Sequence, residues 1–133
     1  MTGSPFLTRR SALGLLGLGA VGGAVYGLSR ARLLDFLKAD ADSPDDFRVI
    51  RRPYPSEPGR EVSVLGYGGI RLPIRNRRDD QIDEELGSAL VDYAYRHGVN
   101  YFDTGWDYHK GAGERFLGRA LRRFPRESFM RAD

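Results

Sequence analysis

At 133 residues, 41% hydrophobic and 29% charged, the chain has the composition of a soluble protein about one domain long. It holds no cysteine, which excludes disulfides, thiolate metal sites and Cys-ligated iron–sulfur clusters within these residues. The net charge of +3 is carried almost wholly by arginines interspersed with acids, which argues for a solvated surface and against a nucleic-acid partner.

The chain opens with Thr8-Arg9-Arg10-Ser11, followed by an uncharged stretch over 12–28 that is rich in glycine (Gly14, Gly17, Gly19, Gly22, Gly23, Gly27). A positive region ahead of a moderately apolar one has the form of an export signal. The paired arginines resemble a twin-arginine signal, which addresses folded cargo to its transporter. Ala12 and Gly14 depart from the usual pattern of such signals. The other reading of 1–29 is a membrane anchor left uncleaved, although the stretch falls short of the ~20 apolar residues of a bilayer span. Either way the expected location is across the cytoplasmic membrane or tethered to it, and the membrane is reached only through this segment.

Residues 30–60 read as a linker. Leu33, Leu34, Phe36 and Leu37 suit one or two amphipathic turns, and Asp40, Asp42, Pro44, Asp45 and Asp46 end them. Phe47-Arg48-Val49-Ile50-Arg51 alternates weakly, as a short strand would, before Pro53, Pro55, Pro58 and Gly59 punctuate the chain.

The globular segment is expected over 61–133. Glu61-Val62-Ser63-Val64-Leu65-Gly66 has the β-branched, apolar character of a buried strand. The glycines of Gly66-Tyr67-Gly68-Gly69 do not make a dinucleotide fingerprint, because Ile70-Arg71-Leu72-Pro73 intervenes where a helix should open. A tight turn out of the strand is the preferred reading. Asp79 and Asp80 are candidate caps for a helix that runs to His97 and ends at Gly98, with Ile82, Leu86, Leu90, Tyr93 and Ala94 on one face. Residues 99–102 then predict a second strand. Gly113 is the candidate cap of the next helix, whose buried stripe is Phe116, Leu117, Ala120, Leu121 and Phe124. Pro125 stops that helix, and a third strand begins in 128–131. Strand, helix, strand, helix, strand with short connections argues for a parallel sheet with right-handed crossovers. Chemistry in such a sheet sits in the loops at the carboxyl ends of strands. The loop to search is therefore the one after 99–102, which holds Asp103, Trp106 and Tyr108.

These residues resemble the N-terminal part of an aldo-keto reductase. Val64 through Pro73 is similar to that family's first strand and loop, and Gly98 through Thr104 to its second strand. Tyr108 stands at the catalytic tyrosine's spacing from Asp103, and Gly111, Glu114, Leu117 and Gly118 match the pattern that follows. The Gly-Gly-x-Arg-Leu-Pro and Tyr-His pieces resemble a branch whose members often carry an iron–sulfur domain further along.

The resemblance implies an α/β fold, the first β/α units of a (β/α)8 TIM barrel. It implies NADPH-linked reduction of an aldehyde or ketone, with Tyr108 as proton donor to the carbonyl oxygen. A phenol ordinarily ionises near pH 10, so a donor of this kind needs its acidity tuned. In the family a lysine does this, paired with an aspartate matching Asp103. Trp106 would line the substrate pocket, or else cover the rim of the barrel. The family's lysine and later histidine are not in this sequence, His109 is not that histidine, and Lys110 reads as a solvated loop charge. A whole barrel needs about 250 residues, so the expectation is a partial chain, inactive alone, with most of the cofactor site and any iron–sulfur cluster beyond it. The alternative is a non-catalytic exported or anchored barrel remnant that acts as a binding module.

Overall fold

The computed structural model describes residues 30–39 and 48–132; the expected signal over 1–29 lies outside them. Three short strands form a parallel sheet in the order β3 (Tyr67–Gly68), β4 (Tyr101–Asp103), β5 (Met130–Ala132). Its registers set Gly68 opposite Asp103, and Asp103 opposite Ala132. Helix α2 (Glu84–Arg96) crosses from β3 to β4, and α3 (Ala112–Leu121) from β4 to β5. The sheet and its two crossover helices are the first β/α units of an incomplete barrel.

The core lies between the sheet and these helices. Phe102 of β4 is fully buried among Val91 and Ala94 of α2, Phe116, Leu117, Ala120 and Leu121 of α3, and Phe129. Its ring meets Phe129 edge-on at 6.0 Å between centroids. The helices approach closely at Gly87, where an added Cβ would stand 2.7 Å from Phe116 Cζ. Alternation along a strand then fixes the rest. With Phe102 turned to the helices, Asp103 must face the opposite side of the sheet, toward the barrel interior.

The amino ends of the strands are closed by an antiparallel hairpin of β1 (Arg51–Pro53) and β2 (Glu61–Ser63). Asn100, just before β4, fastens it. Its side chain accepts from the Ser63 N–H at 2.7 Å and donates to the Glu61 carbonyl at 2.8 Å. Its own N–H donates to Ser63 Oγ at 3.0 Å.

Several expected elements shift. The apolar run 61–66 is not one strand: 61–63 joins the hairpin, Val64 and Leu65 are exposed, and the barrel strand is Tyr67–Gly68. Within 30–60, Arg30–Ala39 forms helix α1, whose Leu33 and Leu37 bury against Tyr93 of α2. Asp79 and Asp80 do not cap α2. An antiparallel bridge between Ile74 and Ile82 holds that part of the chain extended, and Asp83 caps the helix by accepting from the Leu86 N–H at 3.2 Å. The hydrogen bond from Arg30 holds the Asp83 carboxyl well below the usual carboxylate range, helped by Arg75. The cap of α3 is Gly111 and not Gly113, because the chain enters that helix in the left-handed region, φ +79°, which glycine adopts without strain. Gly98 ends α2 as expected, at φ +95°. Among the described residues no helix is long and apolar enough to cross a membrane.

Candidate functional site at the carboxyl ends of the strands

With the hairpin across one end of the strands, the open end is the one where β4 finishes at Asp103. The flanking registers put only glycine and alanine beside it, so the interior face around the Asp103 side chain is bare of bulk. Among the described residues nothing donates a hydrogen bond to its carboxylate or pairs with its charge.

The strand end is crossed closely by the next turn of chain. Gly69 opens a short 3-10 turn (Gly69–Arg71), and a Cβ there would lie 2.8 Å from the Asp103 carbonyl oxygen and 3.2 Å from Thr104 Oγ1. Gly66, Gly68 and Gly69 all keep negative φ. The need at Gly69 is thus for close approach, and the expectation of a glycine-dependent tight turn gives way to it.

Tyr108 follows five residues after Asp103, at the start of a second 3-10 turn (Tyr108–Gly111). Its N–H donates to the Gly105 carbonyl at 3.1 Å, and its half-buried ring lies over Gly105, whose absent Cβ would stand 3.0 Å from Cε1. Trp106, on the same loop, is 80% exposed and covers nothing among the described residues. Tyr67 is the other tyrosine at these strand ends. It pairs in register with Phe102, packs its ring 5.8 Å from that ring, and belongs to the core side of the sheet. Burial pushes its phenol up, against proton donation.

His109 is the residue that sequence reasoning passed over. Its ring is buried at 5% exposure and bridges two loops. Nε2 accepts from the Leu72 N–H at 3.2 Å, and Nδ1–H donates to the Asp79 carbonyl at 3.0 Å, with Asp79 Oδ1 at 3.1 Å. An amide N–H only donates and a carbonyl only accepts, so this pair of partners selects the Nδ1–H tautomer. No composition or period announces such a role.

A cleft of about 500 Å³ lies elsewhere, lined by Thr104, Glu114 and four arginines including Arg115 and Arg131. Neither Asp103 nor Tyr108 lines it. Thr104 follows Asp103 and turns to the helix side, where its Oγ1 has no hydrogen-bond partner among the described residues. The arginines of α3 and the turn after it are engaged in part: Arg119 pairs with Glu84, and Arg123 with Asp92.

The sequence model of the aldo/keto reductase family matches residues 64–132, just over half of the chain, and the chain belongs to that family. A protein described as probable aldo-keto reductase 1, from Glycine max, is 38% identical over 69 residues, 52% of this chain and 19% of its own length. Aldo-keto reductases AFTS1 and AMT2 from Alternaria alternata are 38% and 39% identical over 64 residues, 48% of this chain and 18% and 17% of theirs. The chain thus spans less than a fifth of the length of these relatives. No solved structure matches it significantly.

Proposed function

We propose that this chain carries the proton-donating side of an NADPH-linked carbonyl reductase site, acting on an aldehyde or ketone. Tyr108 is the acid that protonates the carbonyl oxygen, and Asp103 is the charge partner of a cation on another strand. Trp106 forms part of the substrate's surroundings. The observation that carries this reading is the placement of Asp103 at the open end of the central parallel strand, flanked by Gly68 and Ala132, with Tyr108 on the loop that leaves it. Family membership supplies the reaction class.

The residues described do not fit the nucleotide itself. The glycines of 66–69 lead into a 3-10 turn rather than a helix, and the Cβ side of Gly69 is closed by the Asp103 carbonyl, so they form no open glycine loop of the dinucleotide-binding kind. NADPH would supply a hydride to the carbonyl carbon, held by residues other than these. What this chain provides is a hydroxyl held at the strand end and, in Asp103, an anchor for the group that tunes it. Nor does the cysteine-free chain fit a thiolate-held cluster; an iron–sulfur domain, as in the branch it resembles, belongs to this reading only outside these residues. The 133-residue chain is inactive alone on this reading, and 1–29 directs it, as a twin-arginine-type signal or an uncleaved anchor, out of the cytoplasm.

The test follows NADPH consumption with a panel of aldehydes and ketones, for the 133-residue chain and for the product of its natural reading frame. Loss of a positioned general acid costs roughly 10²–10⁴-fold in rate, so Tyr108→Phe in the active species should lower kcat by that order. An active species in which Tyr108→Phe changes nothing would refute the assignment. No consumption by either, with the fold intact, supports the non-catalytic binding module instead.

A further inference from the structure

The 3-10 turn after β3 is fitted against the backbone of Asp103 and is joined, through His109, to the turn that carries Tyr108. At its start, Gly69 abuts the carbonyl of Asp103; just past its end, the Leu72 N–H is bonded to His109, the neighbour of Tyr108. The other end of the His109 ring holds the Asp79 carbonyl, where the same excursion returns toward α2. That excursion is itself braced, by the Ile74–Ile82 bridge and by the hydrogen bond from Arg75 N–H to the Gln81 carbonyl at 2.7 Å. Tyr108 therefore does not hang on a free loop. It is tied through one side chain to a hydrogen-bonded, hairpin-like segment whose near end is fitted against the backbone of Asp103.

We propose that His109 is the positioning residue of Tyr108, the imidazole fastening the Tyr108 turn to 72–79 and so fixing the hydroxyl relative to Asp103. This rests on the reading of Tyr108 as the acid. The local backbone shows that the fastening is needed. His109 and Lys110 both lie in the left-handed region, φ 55° and 53°, followed by Gly111 at 79°. Two non-glycine left-handed residues in succession are not held by their own preferences, and a surrounding structure must over-determine them. His109 is suited to the place twice over. It tolerates positive φ better than most side chains, and it reaches both limbs of the excursion with one acceptor and one donor. Gly113 completes the seat, since a Cβ there would stand 3.1 Å from the Tyr108 carbonyl.

The test uses the 133-residue chain and NMR readouts that do not depend on activity. In the wild-type protein the His109 ring is expected as the Nδ1–H tautomer; protonation at Nε2 and not Nδ1 in the neutral ring would overturn the proposal. His109→Phe keeps ring volume and removes both bonds, while His109→Asn tolerates the left-handed backbone and keeps a donor for Asp79. In His109→Phe the Leu72 amide should exchange at least about tenfold faster than those of Phe102 and Phe116 relative to wild type, as local opening requires. The Tyr108 ring signals should move or broaden while those of Tyr93 and Tyr95 stay. His109→Asn should restore the Tyr108 signals in part. Tyr108 signals unchanged in a folded His109→Phe would sink the positioning role, leaving His109 a packing residue. Should His109→Phe fail to fold, the tautomer and the His109→Asn spectrum decide. A Tyr108→Phe protein with full activity would instead remove the reading beneath, with the NMR result standing.

Discussion

Gly68 and Gly69 are neighbours at the end of one strand, and their demands are opposite. An added Cβ at Gly68 meets nothing within 4 Å, and its backbone, φ −89° and ψ 127°, suits any residue. At Gly69 the Cβ would be 2.8 Å from the Asp103 carbonyl oxygen, a backbone atom that cannot rotate away, and 3.3 Å from Thr104 Cβ. Gly→Ala where the backbone permits it stabilises by about 0.4–1 kcal/mol through the unfolded chain. Forcing an atom into a filled site costs about 1–3 kcal/mol. Gly68→Ala should therefore be neutral or slightly stabilising, and Gly69→Ala destabilising by about 1–2 kcal/mol net, the same unfolded-chain gain offsetting only part of the overpacking cost. For a domain of this size about 1 kcal/mol moves Tm by roughly 4–8 °C. Thermal unfolding of the two variants beside the wild type reads the difference directly. The site adds a second readout: Gly69→Ala should shift the backbone amide signals of Asp103 and Thr104, and Gly68→Ala should leave the register of β3 on β4 intact. Equal melting temperatures for the two variants would refute the close-approach argument. A Gly69→Ala protein more stable than wild type would do so more strongly.

Two other expectations concern α2 and the segment before α1. Asp83 is buried with its carboxyl held low by Arg30, so its contribution to stability is present above the ordinary carboxylate range and is lost as pH falls through that range toward the depressed folded value. Asp83→Asn should flatten the acid limb of a Tm-against-pH curve, and Asp83→Ala should lose in addition about 1 kcal/mol of capping; an acid limb unchanged in Asp83→Asn would exclude the pairing as its source. For 1–29, replacement of Arg9 and Arg10 by lysine should keep a reporter fused to that segment inside the cell, and export undiminished by the double substitution would exclude a twin-arginine signal.

The crossover pattern was legible because it rests on periodicity. Of the expected stripe, Phe116, Leu117, Ala120 and Leu121 are buried as their spacing predicts, while Phe124 lies past the helix end and is half-buried; the strand expected over 99–102 is observed over 101–103, with Phe102 at its centre. What the sequence could not disclose were choices settled by partners far along the chain. Val62, Val64 and Leu65 have strand character whichever sheet they join, but Asn100 captures Ser63 for the hairpin and leaves the barrel strand to Tyr67 and Gly68. Asp79, Asp80 and Asp83 are equally good caps as residue types, and the Ile74–Ile82 bridge selects the last. Helix α1 is only ten residues long with no acid in its first turn, and it is held by Leu33 and Leu37 meeting Tyr93 and by Arg30 pairing with Asp83 and Glu85. For the site, the strand end marked the loop to search and the family register singled out Asp103 and Tyr108 within it, whereas neither pointed to a role for His109.

Backbone strain alone would not have found His109 either. Asn76 and Arg77 are left-handed as well, at φ 55° and 54°, yet they are exposed and form the ordinary tight turn between the Ile74 and Ile82 limbs. The difference is in what surrounds the strain. At 76–77 water and the turn's own hydrogen bonds suffice. At 109–110 the first residue is buried and spends both ring nitrogens on a different loop. A solvated turn can relax locally, while a buried left-handed residue with two distant partners can move only if those partners move too. Tyr108 is directly attached to the second kind, and the proposed role of its hydroxyl draws on that connection.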